Sequence, residues 1–550
     1  MCKKIIFLTL VLFTTILISN IKVWIDHPHY FPDIFLIFEV LNRYGIKTPL
    51  EIFLNIALAF FFFTIASKKL LFSSQKDNIT KKDKNNKYGY AKLITTLFSL
   101  KKRIKDFELN FDSGILLGKI GNKFIRSSKP YSCLLLAPPG TGKTAGIVIP
   151  NLLLCKNSVI VHDPKGELYD KTAKIREKKK NHKVLFFDPI KHNSCKYNVF
   201  AKEVLPRAKE DHKAYVNNIA NIIFADGKES NSANSYFIEA ARSAFTFIAL
   251  YLIEKSNETS IPRIRAKLLE NDNTITTFQT MTSDKDISEA LKTDGKGVLV
   301  ASESENQWAG VMGTLKEKLE IFGDPRIKKV IDSDCDFSGE KLRKEKISLY
   351  LKVEDKDRKR LRPLIAMMID SITTQLISEL PKDSDNQVTL ILDEFVRLGK
   401  LESIAELPSI SRGYNVNTIF VAQDYEQITN TYSKEYISIF DSNCSFKIIL
   451  KQNNLQTAER ISKTIGNMTD IKTSESKNKR AMEILDAGSE GISKSQEGIS
   501  LISAQDILTL PKERALILVQ GFASNPIYCK IPMYFKDKGL KKLININPQK

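Results

Sequence analysis

Two short stretches carry residue types suited to nucleoside-triphosphate chemistry. The first is Cys133-Leu-Leu-Leu-Ala-Pro-Pro-Gly-Thr-Gly-Lys-Thr-Ala145. An apolar run is followed by a glycine-bearing turn and the start of a helical stretch, the order of a phosphate-cradling loop. Glycines let backbone N–H groups face a phosphate, and a helix N-terminus favours the anion. Pro139, Gly140, Thr141, Gly142, Lys143, Thr144 and Ala145 form the expected binding loop. Lys143 has the reach to pair with the β- and γ-phosphates, and the Thr144 hydroxyl suits Mg²⁺. Ala137 stands where the pattern G-x-x-x-x-G-K-[ST] has its first glycine, a small change. The second stretch is Val388-Thr-Leu-Ile-Leu-Asp-Glu-Phe395, an apolar run ending in two adjacent carboxylates. Asp393 is expected to hold Mg²⁺ through water, and Glu394 to orient an attacking water. Arg412 and Gln423 follow at a loop and a strand tip. An Arg there can stabilise charge on a transferring phosphoryl group and a Gln can sense the γ-phosphate; spacing alone equally allows a surface Arg and an ordinary strand cap.

Positioning these groups requires a sheet. Val159–Val161, Val184–Phe187, Ile347–Val353, Val388–Leu392, Val416–Ala422 and Ala515–Gln520 read as strands. Their alternation with helical stretches predicts an α/β fold, a mainly parallel sheet with helices on both faces. Asp163, Lys165 and Glu167 fall in a loop after a strand, where ligands of open α/β sheets bind. Asp188-Pro189 repeats that design. Between about residues 205 and 322 strand signals fade and helical periodicity takes over, as in Tyr236–Leu252. This predicts an all-helical inserted domain, too apolar for a disordered insert. Residues 473–500 are rich in Ser, Lys and Glu and read as a loop.

At 550 residues the chain exceeds a single core. Its formal charge of +20 points to an anionic partner, nucleic acid or anionic lipid. Basic residues crowd between Lys68 and Lys105. Seven scattered cysteines without C-x-x-C indicate neither a zinc site nor a disulfide framework. Two apolar runs, at about 5–25 and 50–67, are expected to span a membrane, with a short external loop between them. Lysines at both outer ends place both termini inside. The first run also has the basic start of a signal peptide, but no small-x-small site follows it. The expected plan is an anchor at 1–70, a basic linker at 71–88 that can lie on anionic lipid, the α/β domain at 89–204 and 323–550, and the helical domain at 205–322.

Taken together, several motifs resemble the type IV secretion coupling proteins of the TraG/TraD family. They are Ala137–Thr144, Ile149-Pro-Asn-Leu-Leu153, Asp163-Pro-Lys-Gly-Glu167, Asp188-Pro189, Tyr197-Asn198, Leu392-Asp-Glu-Phe395 with Leu398-Gly399, Arg412-Gly-Tyr414 and Gln423. The resemblance implies a RecA-like P-loop ATPase that uses ATP and Mg²⁺ and forms a ring, a hexamer by family inference. It implies an inner-membrane position at a type IV secretion channel, with channel components, relaxase-bound DNA and effector proteins as partners. Lys143, Glu394, Arg412 and Gln423 then take catalytic roles, with Arg412 acting across a subunit boundary, while Thr144 and Asp393 hold the metal. Two alternatives stay open at this point: an FtsK/HerA-like DNA pump, and a docking receptor that binds ATP without hydrolysing it.

Overall fold

The computed structural model describes residues 89–544, apart from 192, 226–231, 333, 355 and 478–489. Both expected membrane spans and the linker at 71–88 lie outside the described residues. So do residues 545–550.

The strands in chain order are β1 (Ile115–Ile120), β2 (Lys123–Ser127), β3 (Ser132–Leu136), β4 (Ser158–His162), β5 (Lys183–Phe187), β6 (Ile347–Leu351) and β7 (Val388–Leu392). β8 (Val416–Ala422), β9 (Phe446–Ile449), β10 (Asn467–Lys477), β11 (Glu490–Ser500), β12 (Arg514–Val519) and β13 (Ile527–Lys530) complete the set. All but β10 and β11 form one 11-stranded sheet in the order β2-β1-β13-β12-β9-β3-β8-β7-β4-β6-β5. From β9 to β5 every pairing is parallel, and from β9 to β2 every pairing is antiparallel. The fold is therefore α/β with a mixed, mostly parallel sheet.

Central strands are largely apolar because both faces are covered, and their few polar residues, such as Ser348, Thr389 and Asn417, are buried too. Every residue of β3, β4, β6, β7 and β8 is buried. The side-chain alternation of β3 sends Leu134 and Leu136 into one core and Cys133 and Leu135 into the other. The second core is closed by Ile147, Leu152, Leu168 and Ile175, from the helical stretches after β3 and β4.

Between β5 and β6 the described chain contains helices and no strand. Small polar residues divide it into short helices. Ser260, Asn273, Ser288, Ser304, Asp324 and Ser338 each accept a backbone N–H at a helix start. Two of these helices, Pro325–Ile331 and Gly339–Lys344, follow the stretch in which the sequence shows helical periodicity. Phe245, Phe247, Phe278 and Trp308 share a core with Leu349 and Leu390 of the sheet. Helical segment and sheet thus bury one continuous apolar surface.

The expected loop at 473–500 is corrected by the structure. β10 and β11 pair antiparallel from Asn467↔Ser500 to Lys477↔Glu490 as a separate ribbon. Polar residues occupy both alternating sets, such as Asp470, Lys472 and Ser474 against Thr469, Thr473 and Glu475. No apolar period therefore marks it as strand, and the two-stranded ladder pairs only the inward-facing backbone groups of each strand.

Candidate nucleotide-binding site

Ala137 continues the β3 pairing by one residue, its N–H donating to the Ala422 carbonyl at 2.9 Å. It is fully buried and is not among the positive-φ residues, so no glycine is required there. The turn closes on Pro138, whose carbonyl accepts the Thr141 hydroxyl at 2.7 Å. Gly140 and Gly142 hold φ values of 76° and 91°, which side-chain-bearing residues avoid. Lys143 enters right-handed helical geometry at φ −50°, ψ −52°. The first turn, Thr144–Val148, is a π-helix, and Ile149–Leu154 continues as α-helix. Pro150 has no N–H for the Gly146 carbonyl, which gives a physical cause for the wider turn.

Two buried side chains pin this helix. Asn151 accepts the Leu116 N–H at 2.8 Å and donates to the Leu116 carbonyl at 2.9 Å, tying the helix to β1. Arg176 donates to the Leu152, Cys155 and Asn157 carbonyls at 2.7, 3.1 and 2.8 Å, satisfying backbone acceptors at and beyond the helix end.

β8 lies between β3 and β7, and the three run parallel, so their C-terminal tips share one edge. There Lys143 Nζ stands 3.6 Å from Asp393 Oδ1 and 3.7 Å from Glu394 Oε1. Gln423 Nε2, at the β8 tip, donates to Glu394 Oε1 at 3.1 Å. Arg397 pairs with Glu394 Oε2. Burial raises the Asp393 pKa, opposed by the charge of Lys143. Asp163, at the neighbouring β4 tip, is pushed up to about 6 by burial, opposed by amide bonds such as that from Tyr169 N–H at 2.9 Å. His162 Nδ1 donates to the Asp393 carbonyl at 2.7 Å, and burial lowers its pKa to about 4.

The oxygens present suit a hard divalent cation. Asp393 Oδ1 is buried and has no hydrogen-bond partner. Among the described residues no three His, Cys, Asp or Glu side chains cluster as an all-protein metal cage. A cation at Asp393 and Thr144 would share its coordination with phosphate oxygens, the usual arrangement for Mg²⁺.

The sequence profile described as type IV secretory system conjugative DNA transfer matches residues 74–549. The chain belongs to that family. All the site residues lie inside the matched span. Protein VirD4 of Rhizobium radiobacter is 29% identical over 427 residues, which is 77% of this chain and 59% of that protein. Conjugal transfer protein TraG of Escherichia coli is 26% identical over 464 residues, with 77% and 71% covered. This chain thus spans about three fifths of the VirD4 relative. The bacterial conjugative coupling protein TrwBdeltaN70, in its unbound monoclinic form, superposes with a TM-score of 0.58 at 16% identity, covering 81% of this chain and 93% of that one. Plasmid coupling protein TrwB in complex with ADP and Mg²⁺ gives 0.56 at 16% identity, covering 81% and 94%. These two likenesses show a shared fold.

Within this family member, Lys143, Asp393, Glu394 and Gln423 meet at one edge of the sheet, and Arg412 does not join them. Arg412 precedes β8, is exposed, and lies over the Tyr131 ring at 5.3 Å, at the start of β3. The 7 residues of β8 separate it from Gln423, roughly 20 Å at ~3.3 Å per residue. It borders a cavity of about 350 Å³ that Asp106, Glu108 and Gln520 also line. Sequence reasoning did not single out His162 and Arg397. Arg397 reaches Glu394 because a one-turn 3₁₀ helix, Phe395–Leu398, follows β7. An Arg three residues after the paired acids was the only available signal.

Proposed function

We propose that the chain is a RecA-like ATPase that couples substrate to a type IV secretion channel at the bacterial inner membrane. The approach of Lys143 to both Asp393 and Glu394, at 3.6 and 3.7 Å, carries this reading. Stretches some 250 residues apart supply the phosphate-binding cation and the acids of one hydrolytic site. The loop amides and Lys143 bind the triphosphate. Glu394 orients a water and takes its proton as the oxygen attacks the γ-phosphorus. The β–γ bridging bond breaks, leaving ADP and phosphate. Gln423, bonded to Glu394, relays the state of the γ-phosphate to β8. Mg²⁺ held by Thr144 and Asp393 would neutralise phosphate charge.

Arg412 faces solvent far from its own chain's site, which supports a role on a neighbouring copy in a ring. The residues at 205–322 form the helical domain that meets substrate, relaxase-bound DNA or effector protein, and 1–70 the anchor. The basic linker at 71–88 rests on anionic lipid. Family membership supports this reading over a chromosome-partition pump. Glu394, with its oriented carboxylate, supports hydrolysis over passive ATP binding. Phosphate release by the full chain in membranes, with and without single-stranded DNA, tests the proposal. Hydrolysis that DNA stimulates is expected. Nucleotide binding without turnover under either condition would leave only the docking-receptor reading.

A further inference from the structure

We propose that Arg397 is a positioning residue for hydrolysis: it holds one oxygen of Glu394 so that the other faces Lys143 and Gln423. This rests on the hydrolytic reading above. The partners of Glu394 divide cleanly by oxygen. Oε2 receives Arg397 Nε, while Oε1 receives Gln423 Nε2 at 3.1 Å and has Lys143 Nζ at 3.7 Å. The terminal torsion of a glutamate is broad and nearly two-fold, so an unheld carboxylate exchanges its oxygens. A charge-assisted bond from a rigid guanidinium removes that freedom.

The turn that delivers Arg397 is itself fixed. Its N–H donates to the Glu394 carbonyl at 2.9 Å. Phe395 is fully buried and Leu398 nearly so, with the Phe395 ring 5.4 Å from Phe420 and 5.3 Å from Phe440. Glu394 adopts φ 50°, ψ 52°, a left-handed conformation that non-glycine residues hold only when surroundings enforce it. The Arg397 side chain is 31% exposed, so shortening it leaves the core packing intact.

The test compares Arg397→Ala, Arg397→Lys and Arg397→Met in steady-state phosphate release and in titration with a fluorescent ATP analogue. Arg397→Ala is expected to lower kcat about ten- to a hundredfold, the factor carried by one hydrogen bond to a charged group. Analogue affinity should stay within about twofold, since no contact to phosphate is removed. Arg397→Lys should regain part of the rate, and the uncharged Arg397→Met none. A parent or faster rate in Arg397→Ala overturns the proposal, the latter because Arg397 would then restrain Glu394. Loss of affinity in step with kcat, or equal recovery by Met, overturns it too. Lys143→Ala is assayed in parallel. Turnover at the parent rate there defeats the hydrolytic reading itself; its loss, with Arg397→Ala unaffected, defeats the positioning role alone.

Discussion

Replacing Glu394 by Gln should separate binding from turnover. The side chain keeps its size but loses its charge and one acceptor. An amide nitrogen must then face either Arg397 or the Gln423 amide, both of which donate to the carboxylate. On the proposed hydrolytic reading the group that orients water and takes its proton is gone, which costs about 10²–10⁴ in kcat. Binding should move the other way. Lys143 lies 3.7 Å from Glu394 and 3.6 Å from Asp393, and must share itself between those acids and a phosphate. At an effective dielectric constant near 20, one such contact has a gross energy of about 4 kcal/mol. Most of that is offset by hydration and by the remaining contact to Asp393, leaving about 1 kcal/mol, a roughly fivefold gain in affinity. Single-turnover phosphate release and analogue titration measure the two effects separately. Turnover within tenfold of the parent, or affinity lost together with turnover, would refute the assignment of Glu394.

Three further outcomes follow from the structure. Mixing Lys143→Ala with Arg412→Ala protein should restore hydrolysis above either alone, since each copy lends the group that the other lacks; no gain at any ratio contradicts a role across subunits. Arg176→Met leaves the Leu152, Cys155 and Asn157 carbonyls without their buried donor, and should cost about 3–5 kcal/mol in denaturant unfolding. A loss below 1 kcal/mol would show that those carbonyls find other partners. His182 is nearly buried, and burial, then the Arg176 charge, lowers its pKa to about 4. The unfolded chain therefore takes up this proton first. The contribution is intact above pH 6.5 and lost as pH falls toward 4. The urea midpoint should drop between pH 7 and pH 5, and drop less in His182→Asn.

The parallel core was legible because β3, β4, β6, β7 and β8 are buried on both faces and read as largely apolar runs. Of the antiparallel extension only β12 was, as the apolar run Ala515–Gln520. β1, β2 and β9 carry Lys119, Lys123, Arg126 and Lys447 within short strands, and β13 has only four residues. Lys143, Asp393, Glu394 and Gln423 could be read because each ends an apolar strand or opens the helix after one. Nothing local tells which strand tips become neighbours; that depends on β8 inserting between β3 and β7. Arg397 and His162 depend on the turn after β7 and on the β4–β7 pairing, neither of which leaves a periodic trace.

The proposed hydrolytic site requires Lys143 and Asp393 to serve one nucleotide. A double-mutant cycle with Lys143→Met and Asp393→Asn, read as Mg²⁺-ADP affinity, measures this directly. Convergence on one site predicts a coupling energy of about 1 kcal/mol or more between the substitutions. Strictly additive losses would mean that the two residues act on nucleotide independently, and would contradict the shared site.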